Sequence, residues 1–328
     1  MNSVKDRSMS GNFNPERIGI LLMGYGSPDS LDDFEAYFTD IRGGRKPAPE
    51  LVEEIKNRYR LIGGKSPLLQ ITQAQAQALQ ERLNAGSFGN DSSNPLYRVY
   101  LGMRHWHPYI KETFKKILDD GVKRLIALAL APQYSRLSVG AYIEKVKEAE
   151  AELNGHIHIS YVESWHTQPL FLEAIAQHVK KALDRFPASV RNQVQIVFTA
   201  HSLPERILAE NDPYPQHLQQ TVEGVLQRLG PVSWHFAYQS QGRTAEKWLG
   251  PNVETTLEDL WARGYRNVLL VPIGFVSDHV EILYDIDILF KNLATSKGMH
   301  LERIESLNTD PLFIEALASV ILEHLAVL

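Results

Sequence analysis

Short apolar runs alternate with longer amphipathic stretches along the whole chain. Runs at 18–23, 97–102, 124–131, 156–162, 194–200, 234–238, 267–273 and 301–304 have the length and composition of strands. Helical spacing fills the gaps, over 49–59, 72–83, 107–119, 139–153, 169–186, 212–229, 252–263 and 311–325. Near-continuous apolar strands with helix-length connections predict parallel sheets, because parallel pairing needs a long crossover. Several helical segments start at or near proline, which suits a first turn. Residues 85–95 are rich in Gly, Ser and Asn and read as a surface loop.

The eight strands divide into two sets of four. Gly24-Tyr25-Gly26-Ser27-Pro28 closes the first strand, and Ala200-His201-Ser202-Leu203-Pro204 closes the fifth, 176 positions later at the proline. Thr167-Gln168-Pro169-Leu170-Phe171-Leu172-Glu173-Ala174 matches Thr309-Asp310-Pro311-Leu312-Phe313-Ile314-Glu315-Ala316 at six of eight positions, at an offset of 142. The unequal offsets place a longer insertion in the first half, within residues 29–80. The expected organisation is an α/β protein of two similar lobes. A polar, disordered tail covers 1–16, the first lobe 17–165 and the second 166–310. A C-terminal helix within 311–328 packs back on the first lobe. Ligands of open α/β sheets sit beyond the carboxyl ends of the strands, so the cleft between the lobes is where chemistry is expected.

Composition narrows the chemistry. The chain has 328 residues, a formal charge of −5, twelve histidines and no cysteine. Mild acidity gives no electrostatic case for nucleic acid. Without cysteine there is no disulfide, thiolate zinc site, thiol nucleophile or cysteine-held iron–sulfur cluster. The polar N-terminus has no apolar core of a secretory signal, and no apolar run reaches the ~20 residues of a membrane span. A cytoplasmic protein is expected.

Three groups of residues stand out. His201 and Tyr25 close equivalent strands and would approach one ligand from opposite sides; both residue types ligate metals, and histidine also takes protons near neutral pH. Asp278, Glu281 and Asp285 follow another strand at i, i+3 and i+7, which on a helix makes one carboxylate stripe within an apolar sequence. Arg42, Arg58, Tyr59 and Ser66 lie in the insertion, where guanidinium and hydroxyl groups suit carboxylate recognition. Gly24-Tyr25-Gly26 lacks the later glycine of a dinucleotide loop, and no His-Glu-x-x-His spacing is present.

Four stretches in order resemble the ferrochelatase family over nearly the whole chain, from about residue 18 to 325. They are Arg58-Tyr59-Arg60-Leu61-Ile62-Gly63-Gly64-Lys65-Ser66-Pro67-Leu68, Thr199-Ala200-His201-Ser202-Leu203-Pro204, Trp248-Leu249-Gly250-Pro251, and the run from Gly274 through Asp278-His279-Val280-Glu281 to Asp285. The resemblance implies two Rossmann-like lobes, each with a four-stranded parallel sheet, around a porphyrin cleft. It implies that His201 and Glu281 are the catalytic pair contacting ferrous iron. Tyr25 resembles the Gram-positive branch, which acts on coproporphyrin III and uses this tyrosine as an iron ligand. Arg42, Arg58, Tyr59, Ser66 and Tyr142 then fall on positions that hold the tetrapyrrole and its propionates. Ferrous iron is a substrate, no other cofactor is expected, and transient contact with neighbouring heme-pathway enzymes is. One turn beyond Asp285 the family usually has a glutamate; here it is Leu289. The alternatives are a protoporphyrin IX ferrochelatase, a cobalt chelatase of a sirohydrochlorin-type ring, and a two-lobed tetrapyrrole-binding protein without chemistry.

Overall fold

The computed structural model describes residues 17–85, 96–242 and 244–326. The expected tail and residues 86–95 of the expected loop lie outside them. Strands β1 (Arg17–Gly24), β2 (Leu96–Met103), β3 (Arg124–Ala129) and β4 (His158–Val162) form one sheet in the order β2-β1-β3-β4. Strands β5 (Gln195–His201), β6 (Trp234–Gln239), β7 (Asn267–Pro272) and β8 (His300–Arg303) form a second in the order β6-β5-β7-β8. Every pairing is parallel, and the two sheets share one topology.

Strict alternation along the central strands explains their near-continuous apolar sequence. In β1, Ile20 and Leu22 enter the large central core, while Leu21 and Met23 enter a second core under the helices on the other face. In β7, Leu269 and Val271 face the central core, and Val268 and Leu270 face a third. The central core is continuous between the sheets. Helices α6 (Pro169–Leu183), α7 (Tyr214–Leu229) and α11 (Pro311–Leu325) contribute Phe171, Leu218 and Phe313 to it.

The repeated eight-residue motif starts α6 and α11, and the physical reason is capping. Gln168 Oε1 accepts from the amides of Leu170 and Phe171, at 2.6 and 3.1 Å. Asp310 Oδ1 accepts from Leu312 and Phe313, at 2.8 and 3.2 Å. Each proline then occupies the first turn, where its missing N–H costs nothing.

The insertion carries α1 (Phe34–Ile41), α2 (Pro49–Leu61) and α3 (Leu68–Asn84). Helix α3 ties the sheets together. Gln75, fully buried, donates to Ser277 Oγ at 2.9 Å and to the Asn308 carbonyl at 2.7 Å. Arg82 pairs with Glu315 on α11, its Nη2 lying 2.6 Å from Oε1. Among the described residues, no helix is long and apolar enough to cross a membrane.

The turn after β1 is a sharp constraint. Gly26 has φ +92°, and a Cβ there would lie 2.9 Å from the backbone nitrogen of Trp106. Both facts exclude a side chain. Gly26→Ala should therefore destabilise the protein by about 1–3 kcal/mol, the scale of overpacking against rigid backbone. Urea unfolding checks this; an unchanged midpoint would show that the turn relaxes freely.

Candidate active site

At the end of β5, backbone bonds fix the chain on which His201 stands. Ser202 donates its amide to the Gln239 carbonyl and its hydroxyl to the Leu249 carbonyl, both at 2.8 Å, and the Tyr214 hydroxyl donates to the His201 carbonyl at 2.9 Å. His201 Nδ1 bonds the Ser202 carbonyl, which only accepts. Neutral His201 therefore carries its proton on Nδ1 and its lone pair on Nε2. Nε2 lies 3.5 Å from Glu281 Oε1. Both side chains are about a third exposed, at 32% and 31%.

Glu281 stands between two imidazoles. His279 Nδ1 bonds the Ser277 carbonyl at 2.9 Å, which aims its Nε2 at Glu281 Oε2, 3.6 Å away. Gln239 anchors the carboxylate's own backbone: it donates to the Glu281 carbonyl at 3.1 Å while accepting from Thr199 Oγ1 at 2.7 Å. Burial alone would raise the Glu281 pKa. The charge and hydrogen bonds of His201 and His279 reverse this and hold it well below the carboxylate range. Burial alone would lower His201, but the Glu281 charge, the bonds to Glu281 and Ser202, and Asp285 leave it raised above 6.5.

Asp285 lies behind this pair. Burial first, and then the Glu281 charge, push it up to about 6. Ser240 Oγ donates to it at 2.5 Å from a residue with φ +58°, a strained conformation for serine. Asp285 opens onto a cavity of about 140 Å³, also lined by Arg58, Glu254 and Leu289.

The carboxylate stripe expected from sequence spacing is corrected in two respects. Helix α9 (Val280–Leu283) begins after Asp278, which bonds Ser306, Asn308 and Arg303 instead of joining Glu281. Residues Asp285–Phe290 form a π-helix, leading into α10 (Lys291–Ser296), so the residues per turn change where Asp285 stands.

The first lobe brings phenols. Tyr25 follows β1, is 42% exposed, and its hydroxyl makes no hydrogen bond among the described residues. Desolvation by the surrounding walls, and then the Glu281 charge, push its phenol up to about 12 although solvent still reaches it. Tyr59 and Tyr142 are buried at 3% and 6% exposure, and both are raised by desolvation first and also by Glu281 and Tyr25. The Glu281 charge of the second lobe thus adds to the rise of three first-lobe phenols.

Arg58 bonds Glu54 at 3.1 Å and lies over the Tyr284 ring at 5.2 Å, beside the Asp285 cavity. Arg42 is exposed at the end of α1, and Ser66 is buried, its hydroxyl accepting from the Leu68 amide at 3.3 Å. Neither bonds the His201–Glu281 pair. The sequence pattern did not point to His279, Gln239 or Ser240 as parts of the site. His279 lay in plain view inside a quoted motif; Gln239 and Ser240 end the strand beside β5, and strand order alone brings them in. Among the described residues, no three His, Asp or Glu side chains converge as a preformed metal site.

The fold is that of the metal chelatases. A structure of SirB from Bacillus subtilis with Fe3+ aligns over 94% of this chain and 95% of its own, with a TM-score of 0.55 at 14% identity. The sirohydrochlorin chelatase SirB from Bacillus subtilis subspecies spizizenii, in complex with cobalt, aligns with a TM-score of 0.54 at 14% identity over 94% and 95% of the two chains. The family follows from sequence. The ferrochelatase family model matches residues 17–325. A ferrochelatase of Herpetosiphon aurantiacus is 47% identical over 93% of this chain and 98% of its own, and one of Deinococcus radiodurans 45% identical over 94% and 96%. A coproporphyrin III ferrochelatase of Geobacillus kaustophilus is 41% identical over 94% and 96%. The chain belongs to the ferrochelatase family, the metal chelatases that insert iron into a porphyrin.

The pair's electrostatics have a direct test. A raised His201 pKa contributes stability that is present below its unfolded value and lost as pH rises through the folded one; a depressed Glu281 contributes above its unfolded value and loses it as pH falls. The pair therefore stabilises most between about pH 4.3 and 6.5. In Glu281→Gln, burial is no longer opposed by the carboxylate, and the His201 pKa should fall below 6.5. Proton NMR titration of the ring measures it; a pKa that stays raised would remove Glu281 as the cause.

Proposed function

We propose that this ferrochelatase takes coproporphyrin III and Fe2+ and yields Fe-coproporphyrin III with release of two pyrrole protons. The observation that carries this reading is the His201–Glu281 pair at the end of β5, with Tyr25, at the equivalent end of β1, making no hydroxyl hydrogen bond among the described residues. The 41% identical relative of Geobacillus kaustophilus, a coproporphyrin III ferrochelatase, supports the choice of porphyrin. Coproporphyrin carries four propionates, and the basic residues Arg42, Arg45, Lys46 and Arg58 of the insertion provide the matching charge. Arg42, Arg58, Tyr59, Ser66 and Tyr142 would hold the tetrapyrrole.

The mechanism follows from the tautomer. Iron enters only as the two pyrrole N–H bonds break. In its neutral form His201 presents the Nε2 lone pair, its basicity raised by Glu281, and accepts the two pyrrole protons in turn, releasing the first before taking the second; each imidazolium that forms donates to the carboxylate beside it and is stabilised by it. Asp285, lifted to about 6, passes protons on toward the cavity it lines, which has room for several waters. Cleft walls that bind the ring's periphery favour a puckered ring with exposed nitrogen lone pairs. Tyr25 meets the iron from the other face. The reaction needs no resident cofactor beyond the iron that is its substrate.

His201→Ala should lower kcat by at least ~10²-fold, the scale of a lost general base, while porphyrin binding measured by fluorescence stays near wild type. Turnover near the wild-type rate would end that assignment. For the substrate, anaerobic Fe2+ with coproporphyrin III should give faster metalation by absorbance than with protoporphyrin IX. Faster metalation of protoporphyrin IX would reverse the substrate assignment, and metalation of neither would favour a binding protein.

A further inference from the structure

We propose that Asp40 and His105 are positioning residues that hold the ring of Tyr25, so that its hydroxyl is presented to the iron of the metalated porphyrin. The inference rests on reading Tyr25 as an iron ligand. His105 Nδ1 lies 2.7 Å from Asp40 Oδ2. An ionised carboxylate only accepts, so Nδ1 is the donor, and one bond fixes both the tautomer and the plane of the imidazole. The ring so fixed is 7% exposed and lies against Tyr25, with centroids 4.7 Å apart and planes at 57°.

The backbone beneath is equally constrained. Arg104 donates its amide to the Gly24 carbonyl and His105 to the Tyr25 carbonyl, each at 2.9 Å, so the two side chains leave adjacent strand extensions together. On the next residue, the left-handed Gly26 packs on Trp106, and Tyr37 donates its hydroxyl to the Gly26 carbonyl at 2.9 Å. Tyr25 is thus held by its backbone and by one ring face, while its oxygen has no hydrogen bond among the described residues. A phenol held only at its base would lose rotamer freedom on meeting the metal; a ring already packed against an imidazole loses less, and its distance to the iron is set before the porphyrin arrives. Asp40 comes from α1, so a helix of the insertion acts on the iron ligand through Asp40 and His105 without touching the metal.

The test uses ferric coproporphyrin III bound to the full-length wild type and to Tyr25→Phe, His105→Ala, His105→Phe and Asp40→Asn. Phenolate-bound ferric iron has a charge-transfer band, which reports ligation directly. His105→Ala should weaken that band and speed product dissociation by about 10-fold or more, the scale of a lost orienting partner. His105→Phe, which keeps a ring against Tyr25, should retain most of the band, and Asp40→Asn should fall between them. In the Tyr25→Phe background, His105→Ala should change dissociation no further, whereas a merely structural role would act equally in both backgrounds. A wild-type band and dissociation rate in His105→Ala overturn the inference alone. A wild-type spectrum in Tyr25→Phe overturns the ligand reading and the inference together.

Discussion

A carboxylate out of bulk water needs a positive partner or a proton, and the active cleft is organised around that requirement at Glu281. Desolvation opposes its charge, and the two imidazoles of His201 and His279 overcome the opposition. Each imidazole is oriented by a backbone carbonyl at its Nδ1, so each turns its Nε2 to the carboxylate. The consequences spread outward. The charge raises His201 against its burial, and adds to the burial that lifts Asp285 to about 6 and raises Tyr25.

That arrangement needs two rigid lobes at a constant separation. The continuous core beneath the cleft supplies the rigidity, through α6, α7 and α11. The insertion then makes the lobes unlike one another. Its α3 bridges them through Gln75, its α2 brings Arg58 beside Asp285, and its α1 brings Asp40 to His105. Equivalent strand ends thereby carry different chemistry: the Tyr25 phenol in one lobe, and a charged pair in the other. The repeat makes the frame, and the departure from it makes the site.

Much of this was legible in the chain. Apolar strand runs buried on both faces are hard to mistake, and all eight appear within a few residues of where the pattern put them. The motif at 167–174 and 309–316 announced its own reason, since Gln168 and Asp310 differ in identity but perform the same capping. Asp278 was misread because spacing assumes that the helix is already running. It begins at Val280, and Asp278 is claimed by Arg303 and Asn308 from the β8 side. The π-helix escaped for a related reason: the residues per turn depend on how Asp285–Phe290 pack, not on any residue type.

The sequence by itself determined the alternation of strands and helices, the doubled lobe, the absence of thiol chemistry, and His201, Glu281 and Tyr25 as the residues to watch. These are local properties: each depends on side-chain type, spacing or position at a strand end. Which partner holds each of them was decided only in three dimensions. Asp40 and His105 are 65 positions apart, and Ser240 and Asp285 are 45 apart, yet each pair shares a hydrogen bond. No periodicity encodes such pairs, because they arise where separate strand ends and an inserted helix converge, and it is there that burial and charge set the acidity of each group.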